Sequence, residues 1–427
     1  MRHFYTALLW LGLPLVLARL LWRSRHAPAY RERWRERLGF YRGDPLPASL
    51  WVHAVSVGEV QAAQPLIKGL LERHPSLPLV VTTTTPTGAR RLHDLFGSQV
   101  QHHYTPWDLP PVVRRFLGHC RPRLAVVMET EIWPNLFCAC HARGIPVVLA
   151  NARLSARSAR GYARIGGLSR EVLGCIHTIA AQGETDARRF VELGADPVRM
   201  RVTGNIKFDL HLPASLHEKA AVIRRLWGEG RPVWVAASTH EGEDAPLLDA
   251  HRRVLETVPN ALLVLVPRHP ERFDGVAALV EREGFALVRR SEERPCTPET
   301  QVFLGDTMGE VPLFLAAADA AFIGGSLVPT GGHNLLEPAA LGVPVAHGPH
   351  MFNFADITRL LHEADAAVEV DGPDGLAALL IEWLADASER SRIGENGRRV
   401  VEQNRGALTQ LSAIIDEAIS PPAVTIV

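Results

Sequence analysis

Short apolar runs recur along most of the chain, and the polar stretches between them set the reading of its fold. From Ser49 the runs LWVHAVSV, LPLVVTTTT, LAVVMET, IPVVLAN, HTIAAQG and MRVTGN are short and rich in Val, Ile and Leu, which predicts strands buried on both faces. Between them GEVQAAQPLIKGLLERHP, PTGARRLHDLFG and the segment from Trp133 carry a helical period. Strands that alternate with helices predict a doubly wound parallel sheet. Around Leu210 to Pro232 the alternation lapses into one helical segment, HEKAAVIRRLWGEG. It restarts with VWVAAST, ALLVLVPRH, ALVRRS, VFLGDT, AAFIGG and VPVAHG, so a second α/β domain begins near Arg231. Gly375 to Ile419 is helical by period and is expected to pack back across both halves. The expected divisions are an anchor over 1–22, an α/β domain over 23–210, a linker helix over 211–230, a second α/β domain over 231–405 and a terminal helix over 406–427.

The first segment has a different character. Phe4 to Ala18 carries no charge, and the apolar span reaches Trp22 if Arg19 snorkels. That is about the ~20 residues a membrane-crossing helix needs, with Tyr5, Trp10 and Trp22 as interfacial aromatics. Arg23, Arg25 and the run RERWRER follow in place of a small-residue cleavage site. A short anchor or interfacial helix, with the remainder of the chain cytoplasmic, is the expectation. Basic and acidic residues balance at 46 each, which argues against nucleic acid as a partner, because a phosphate backbone demands a basic excess. Locally the balance breaks: eight arginines face three acids between Arg19 and Asp44, a block suited to anionic headgroups. Five cysteines without a CxxC pair form neither a disulfide framework nor a zinc pattern, and Cys138 and Cys140 read as core residues.

The stretch FIGGSLVPTGGHNLLEPAALGVPVAHGPH reads as strand, glycine-rich loop, helix and strand, with the helix opening near Asn334. Gly331 and Gly332 would let a ligand approach the backbone, and free N–H groups at the helix start attract an anion. Glu337 lies on the first turn, where its carboxylate suits ribose hydroxyls and equally suits a helix dipole. Neither a GxGxxG nor a Walker motif is present.

In open α/β sheets ligands gather at the carboxyl ends of the strands, and polar residues stand at those ends here. Glu59 begins the helix after WVHAVSV and suits a general base, or a helix-start carboxylate favoured by the dipole. Glu129 and Glu131 close the strand LAVVM and share a direction if the extended backbone persists. Lys207 follows MRVTGN and suits a phosphate, or bulk water. In the second half Ser238, Thr239 and His240, then Pro267, Arg268 and His269, then Met308, Gly309 and Glu310, stand at strand ends. With Ser326, Gly331 and Gly332 they converge on one donor pocket if the sheet is doubly wound.

The strings APAYRERW, HAVSVGEV, TTTTPTGA, METEIWPN, NARLSARSARGYA, VTGNIKFD, STHEGED, VPRHPERF, GDTMGE, GGSLVPTGGHNLLEPAA and GPHMFNF together resemble the 3-deoxy-D-manno-octulosonic acid (Kdo) transferases. The resemblance runs from about residue 5 to the end. It implies a GT-B fold of two Rossmann-like domains facing a cleft, and transfer of Kdo from CMP-Kdo to the lipid A precursor at the inner membrane. It implies Glu59 as general base, with Glu129 and Lys207 stabilising the transition state. It implies that Pro267, Arg268, Met308, Gly309, Glu310, Asn334, Leu335, Leu336 and Glu337 hold CMP, and that no metal is required. The rival readings are a GT-B enzyme with a UDP-sugar donor, including a sugar-nucleotide epimerase, and a membrane-tethered nucleotide- or glycan-binding protein without turnover.

Overall fold

The computed structural model describes residues 1–26 and 28–419. The chain divides into two compact units, Met1–Asp209 joined by the chain from Arg405, and Leu210–Asn404. The first holds β1 (Ser49–His53), β2 (Leu79–Thr83), β3 (Gln101–Tyr104), β4 (Pro122–Met128), β5 (Val147–Ala152), β6 (Thr178–Ala181) and β7 (Met200–Val202). They form a sheet of order β3-β2-β1-β4-β5-β6-β7, parallel throughout. Successive side chains of a strand point to opposite faces, so Leu50 and Val52 enter one apolar layer while Trp51 enters the other. Burial on both faces is what the continuous Val, Ile and Leu runs encode.

The second unit holds β8 (Val233–Thr239), β9 (Leu262–Pro267), β10 (Leu287–Arg289), β11 (Val302–Leu304), β12 (Ala320–Ile323), β13 (Val345–His347) and β14 (Ala367–Glu369). Their order is β10-β11-β9-β8-β12-β13-β14, again parallel. Each sheet has one strand more than the apolar runs predict, β3 and β14. Both are edge strands, and β3 reads QHHY with only Tyr104 buried. An edge strand has water beside it and needs no apolar run.

Two expected divisions shift. The segment read as a linker contains the helix Leu216–Trp227, which belongs to the second unit. Trp227 is buried there, its ring 5.5 Å from that of Phe303, and Arg224 pairs with Asp319 at 2.7 Å. The helical tail also splits. Helices Pro373–Ala385 and Ala387–Gln403 supply Leu376, Trp383 and Ile393 to the core of the second unit. The last helix, Ala407–Ile419, supplies Leu411 and Ile415 to the core of the first. Asp209 secures its start by accepting the Gly406 and Leu408 N–H groups at 2.7 and 2.6 Å. Residues 420–427 of the expected terminal helix lie outside the described residues.

Candidate active site

In the first unit β2 flanks β1 on one side and β4 on the other, so the connections leave in opposite directions and open a crevice at the strand ends. Helix Val57–Arg73 starts there, with Glu59 in its first turn. The Val55 N–H donates to Glu59 Oε2 at 2.9 Å, which turns the carboxylate back over the end of β1. Glu129 follows β4 directly. The extended geometry needed to aim Glu129 and Glu131 the same way does not persist, because Glu129 has φ +56°, in the left-handed region. A non-glycine residue there costs on the order of 1 kcal/mol or more.

Lys207 rides on a 3-10 turn, Ile206–Phe208, after β7. Its Nζ stands 3.9 Å from Glu129 Oε1. Asn205 caps the turn by accepting the Lys207 N–H at 3.0 Å. Buried Asn151, at the end of β5 with φ +54°, accepts the Ile206 N–H at 3.1 Å. Asn151 was not among the residues selected from the sequence, though a polar residue ending an apolar strand is the signal that selected Lys207.

The three carboxylates interact. Burial pushes the Glu59 carboxyl up to about 7, and the nearby charges of Glu129 and Glu131 add to the rise, against the Val55 hydrogen bond. Burial also raises Glu131, and the nearby charge of Glu129 adds to it. A carboxylate poised near neutrality, next to an ion-paired lysine, can take a proton from a hydroxyl at physiological pH.

In the second unit the ends of β9, β8 and β12 are neighbours, and β8 shifts register between Ala237 and Thr239, where Ser238 has φ +61°. Gly324 is obligatory opposite this kink: a Cβ would lie 2.7 Å from both the Ser238 carbonyl oxygen and the Thr239 Cα. Thr239 Oγ1 donates to Asp244 Oδ1 at 2.7 Å, and Arg272 binds both Asp244 and the Thr239 carbonyl. Thr239 is therefore a fold contact.

The first part of the glycine loop is held by the chain itself. Glu243, fully buried, accepts the N–H groups of His240 at 2.8 Å, Gly325 at 2.6 Å, Ser326 at 3.0 Å and Leu327 at 2.9 Å. These amides are satisfied by the chain's own carboxylate. Ser326, also fully buried, donates to the Ile323 carbonyl at 2.5 Å and accepts the Gly348 N–H at 2.8 Å. It braces the loop. Gly331 and Gly332 have φ +102° and +74°, and the Gly332 N–H closes the loop on the Gly325 carbonyl at 2.7 Å.

The helix after the loop is short, Leu336–Leu341, and opens two residues later than expected. Asn334 Oδ1 accepts the Leu336 N–H at 3.1 Å, and its Nδ2 donates to Glu337 Oε1 at 3.3 Å. Burial raises the Glu337 carboxyl, against that hydrogen bond. Leu335 and Leu336 are fully buried, which leaves only their backbones for a ligand. The Glu310 carboxylate is held within the unit: Arg290 binds both its oxygens, at 3.0 and 3.1 Å, and Thr307 donates to it. Met308, 58% exposed, and Gly309, φ +84°, form the open part of that loop. Pro267 ends β9, and the Arg268 N–H donates to the Thr239 carbonyl at 3.0 Å.

A histidine cluster also assembles. His240 and His333 meet at 2.8 Å between their Nε2 atoms with rings stacked at 5.0 Å, and His269 lies edge-on to His240. Burial depresses His333 to about 4, with His240, Arg268 and His269 adding to it. Burial lowers His240 as well, and in a hydrogen bond between two neutral imidazoles one ring donates and the other accepts. The sequence reading missed His333 and Glu243, since neither stands at a strand end.

The model of the 3-deoxy-D-manno-octulosonic-acid transferase family matches residues 32–210, and that of glycosyl transferases group 1 matches residues 246–400. Over 413 residues, 96% of this chain and 97% of the relative, the sequence is 46% identical to the 3-deoxy-D-manno-octulosonic acid transferase of Haemophilus influenzae. The chain belongs to the Kdo transferase family. A second such transferase, from Bordetella pertussis, is 40% identical over 91% of this chain and 93% of its own. Among solved structures a glycosyltransferase of Rickettsia africae aligns with a TM-score of 0.55 at 13% identity, covering 88% of this chain and all of that one. Anabaena HepE in complex with UDP-glucose aligns at 0.53 and 13%, covering 86% and 99%. The fold of this Kdo transferase family member is GT-B, two doubly wound α/β domains, as expected.

Proposed function

We propose that this chain is an inverting glycosyltransferase that moves Kdo from CMP-Kdo to a hydroxyl of the lipid A precursor. The observation that carries the mechanism is Glu59, its carboxyl raised to about 7 next to Glu129, Glu131 and the Lys207 ion pair. Glu59 takes the proton of the acceptor hydroxyl, and the oxygen forms its bond to the anomeric carbon. The bond from that carbon to the phosphate oxygen breaks, and CMP leaves with the electron pair. Positive charge that develops on the Kdo ring is stabilised by Glu129, and negative charge on the leaving phosphate by Lys207 and Arg268. CMP is a good leaving group, so the reading calls for no divalent metal.

The donor would bind the second unit through Pro267 and Arg268, the open Met308–Gly309 turn and the Asn334–Glu337 turn. Glu310, Thr239 and Ser326 act as braces. The apolar part of the N-terminal helix, Arg2–Trp22, is long and apolar enough to cross a membrane, which supports a place at a membrane, and the arginines that follow it are the reason to assign the chain to the cytoplasmic face of the inner membrane. Transfer of labelled Kdo from CMP-Kdo to a lipid A precursor tests the function directly. Absence of transfer, with thermal protection by UDP in place of CMP, would favour a UDP-sugar enzyme.

A further inference from the structure

The N-terminal helix, Arg2–His26, satisfies the length and composition of a membrane span, yet its first turn is fastened to the body of the first unit, where its other end must also lie because the chain runs on from it. At its start Arg2 pairs with Glu171 at 3.7 Å, and Tyr5 packs partly buried against the apolar core of the first unit. Asn135 Nδ2 donates to Thr6 Oγ1 at 3.0 Å. At its other end Ser24 is buried and accepts from Arg31 Nε at 2.8 Å. A helix of this length measures ~37 Å at ~1.5 Å per residue, slightly more than the ~30 Å hydrocarbon core. To cross, its first turn would have to lie on the far side of the bilayer from its last. Both cannot then touch one domain.

The side chains sort accordingly. Arg2, Tyr5, Thr6, Leu9, Leu13, Leu17, Leu20 and Ser24 are buried or half-buried, and at ~100° per residue they form one stripe. Phe4, Leu8, Leu11, Leu15 and Trp22 form the opposite stripe and are exposed, Leu11 at 77%, and Trp10, Val16 and Leu21 beside it are exposed as well. A helix with protein on one side and lipid on the other is apolar all round, as a spanning helix is. Hydropathy does not separate the two cases; the contacts do.

We propose that this helix lies in the plane of a single leaflet, docked along the first unit, with Phe4, Leu8, Leu11, Leu15 and Trp22 buried in the acyl region and the arginines that follow at the headgroups. The proposal rests on the membrane placement in the preceding reading. In the full chain, Thr6→Cys and Asn135→Cys are combined with Cys138→Ala and Cys175→Ala, and washed native membranes are oxidised with copper phenanthroline. The expected result is a disulfide between positions 6 and 135, read by mass spectrometry of linked peptides, and none for Phe4→Cys with Asn135→Cys. A spanning helix would hold positions 6 and 135 roughly 30 Å apart and leave them unlinked. In the second arm, His3→Cys in intact spheroplasts should react with an impermeant maleimide only after the membrane is opened. Labelling from outside overturns the proposal even where the double variant fails to fold. A chain found only in the soluble fraction would instead refute the membrane placement.

Discussion

The Lys207 ammonium stands 3.9 Å from a Glu129 carboxylate oxygen, the one positive charge that the geometry brings to the Glu59, Glu129 and Glu131 group through a described ion pair. Removing it should strengthen repulsion among the carboxylates and raise Glu59 further. For Lys207→Met, the acidic limb of the pH–rate profile is expected to move up by roughly half to one pH unit, with activity at pH 7 falling beyond that shift. A limb that stays in place would detach Lys207 from the base.

For Glu59 itself the wild-type rate should climb as pH rises through about 7, because only the ionised carboxylate accepts a proton. Glu59→Gln should lower single-turnover transfer by about 10²–10⁴-fold and leave CMP affinity unchanged. Stability carries the opposite sign. A carboxyl raised in the folded state supports folding below its unfolded value and loses that contribution as pH passes the folded one. Glu59→Gln should therefore melt no lower than wild type at pH 8, and its relative advantage should vanish at pH 4. Near-normal transfer would pass the role to Glu129 or Glu131.

Glu243 should behave as a structural residue. Glu243→Ala leaves buried N–H groups of Gly325, Ser326 and Leu327 without their acceptor, an expected loss of about 3 kcal/mol or more in urea unfolding. The exposed neighbour substitution Glu241→Ala should leave the midpoint unchanged.

Glu337→Ala is expected to weaken CMP binding by about 1–3 kcal/mol, typical of hydrogen bonds to a charged group. Isothermal calorimetry reads this directly. Unchanged affinity would place the ribose away from the Asn334–Glu337 turn.

The two sheets and their order of elements were legible because a parallel strand buried on both faces needs an uninterrupted apolar run, and inner strands such as β5, β9 and β12 carry one. β3 and β14 do not, since an edge is half solvated. In each unit the candidate residues near strand ends were selected by position alone: Glu59, Glu129 and Lys207 in the first, Arg268 in the second. What escaped was who bonds whom. Nothing local in HEGEDA says that Glu243 will fill the loop at Gly325 to Leu327, because that contact spans more than eighty residues and exists only once β8 and β12 are paired. The left-handed turn at Glu129 was equally hidden, since it follows a strand that reads as continuing.

The helix Ala407–Ile419 completes the core of the first unit although every residue of the second unit is made before it. On the ribosome the first sheet must therefore wait, with Val60, Leu66, Val126 and Ile206 short of their last cover, while about two hundred further residues are synthesised. Such a nascent chain is a natural client for holding chaperones, and it makes the emergence of the segment 407–419 the step that commits the first domain to its native state.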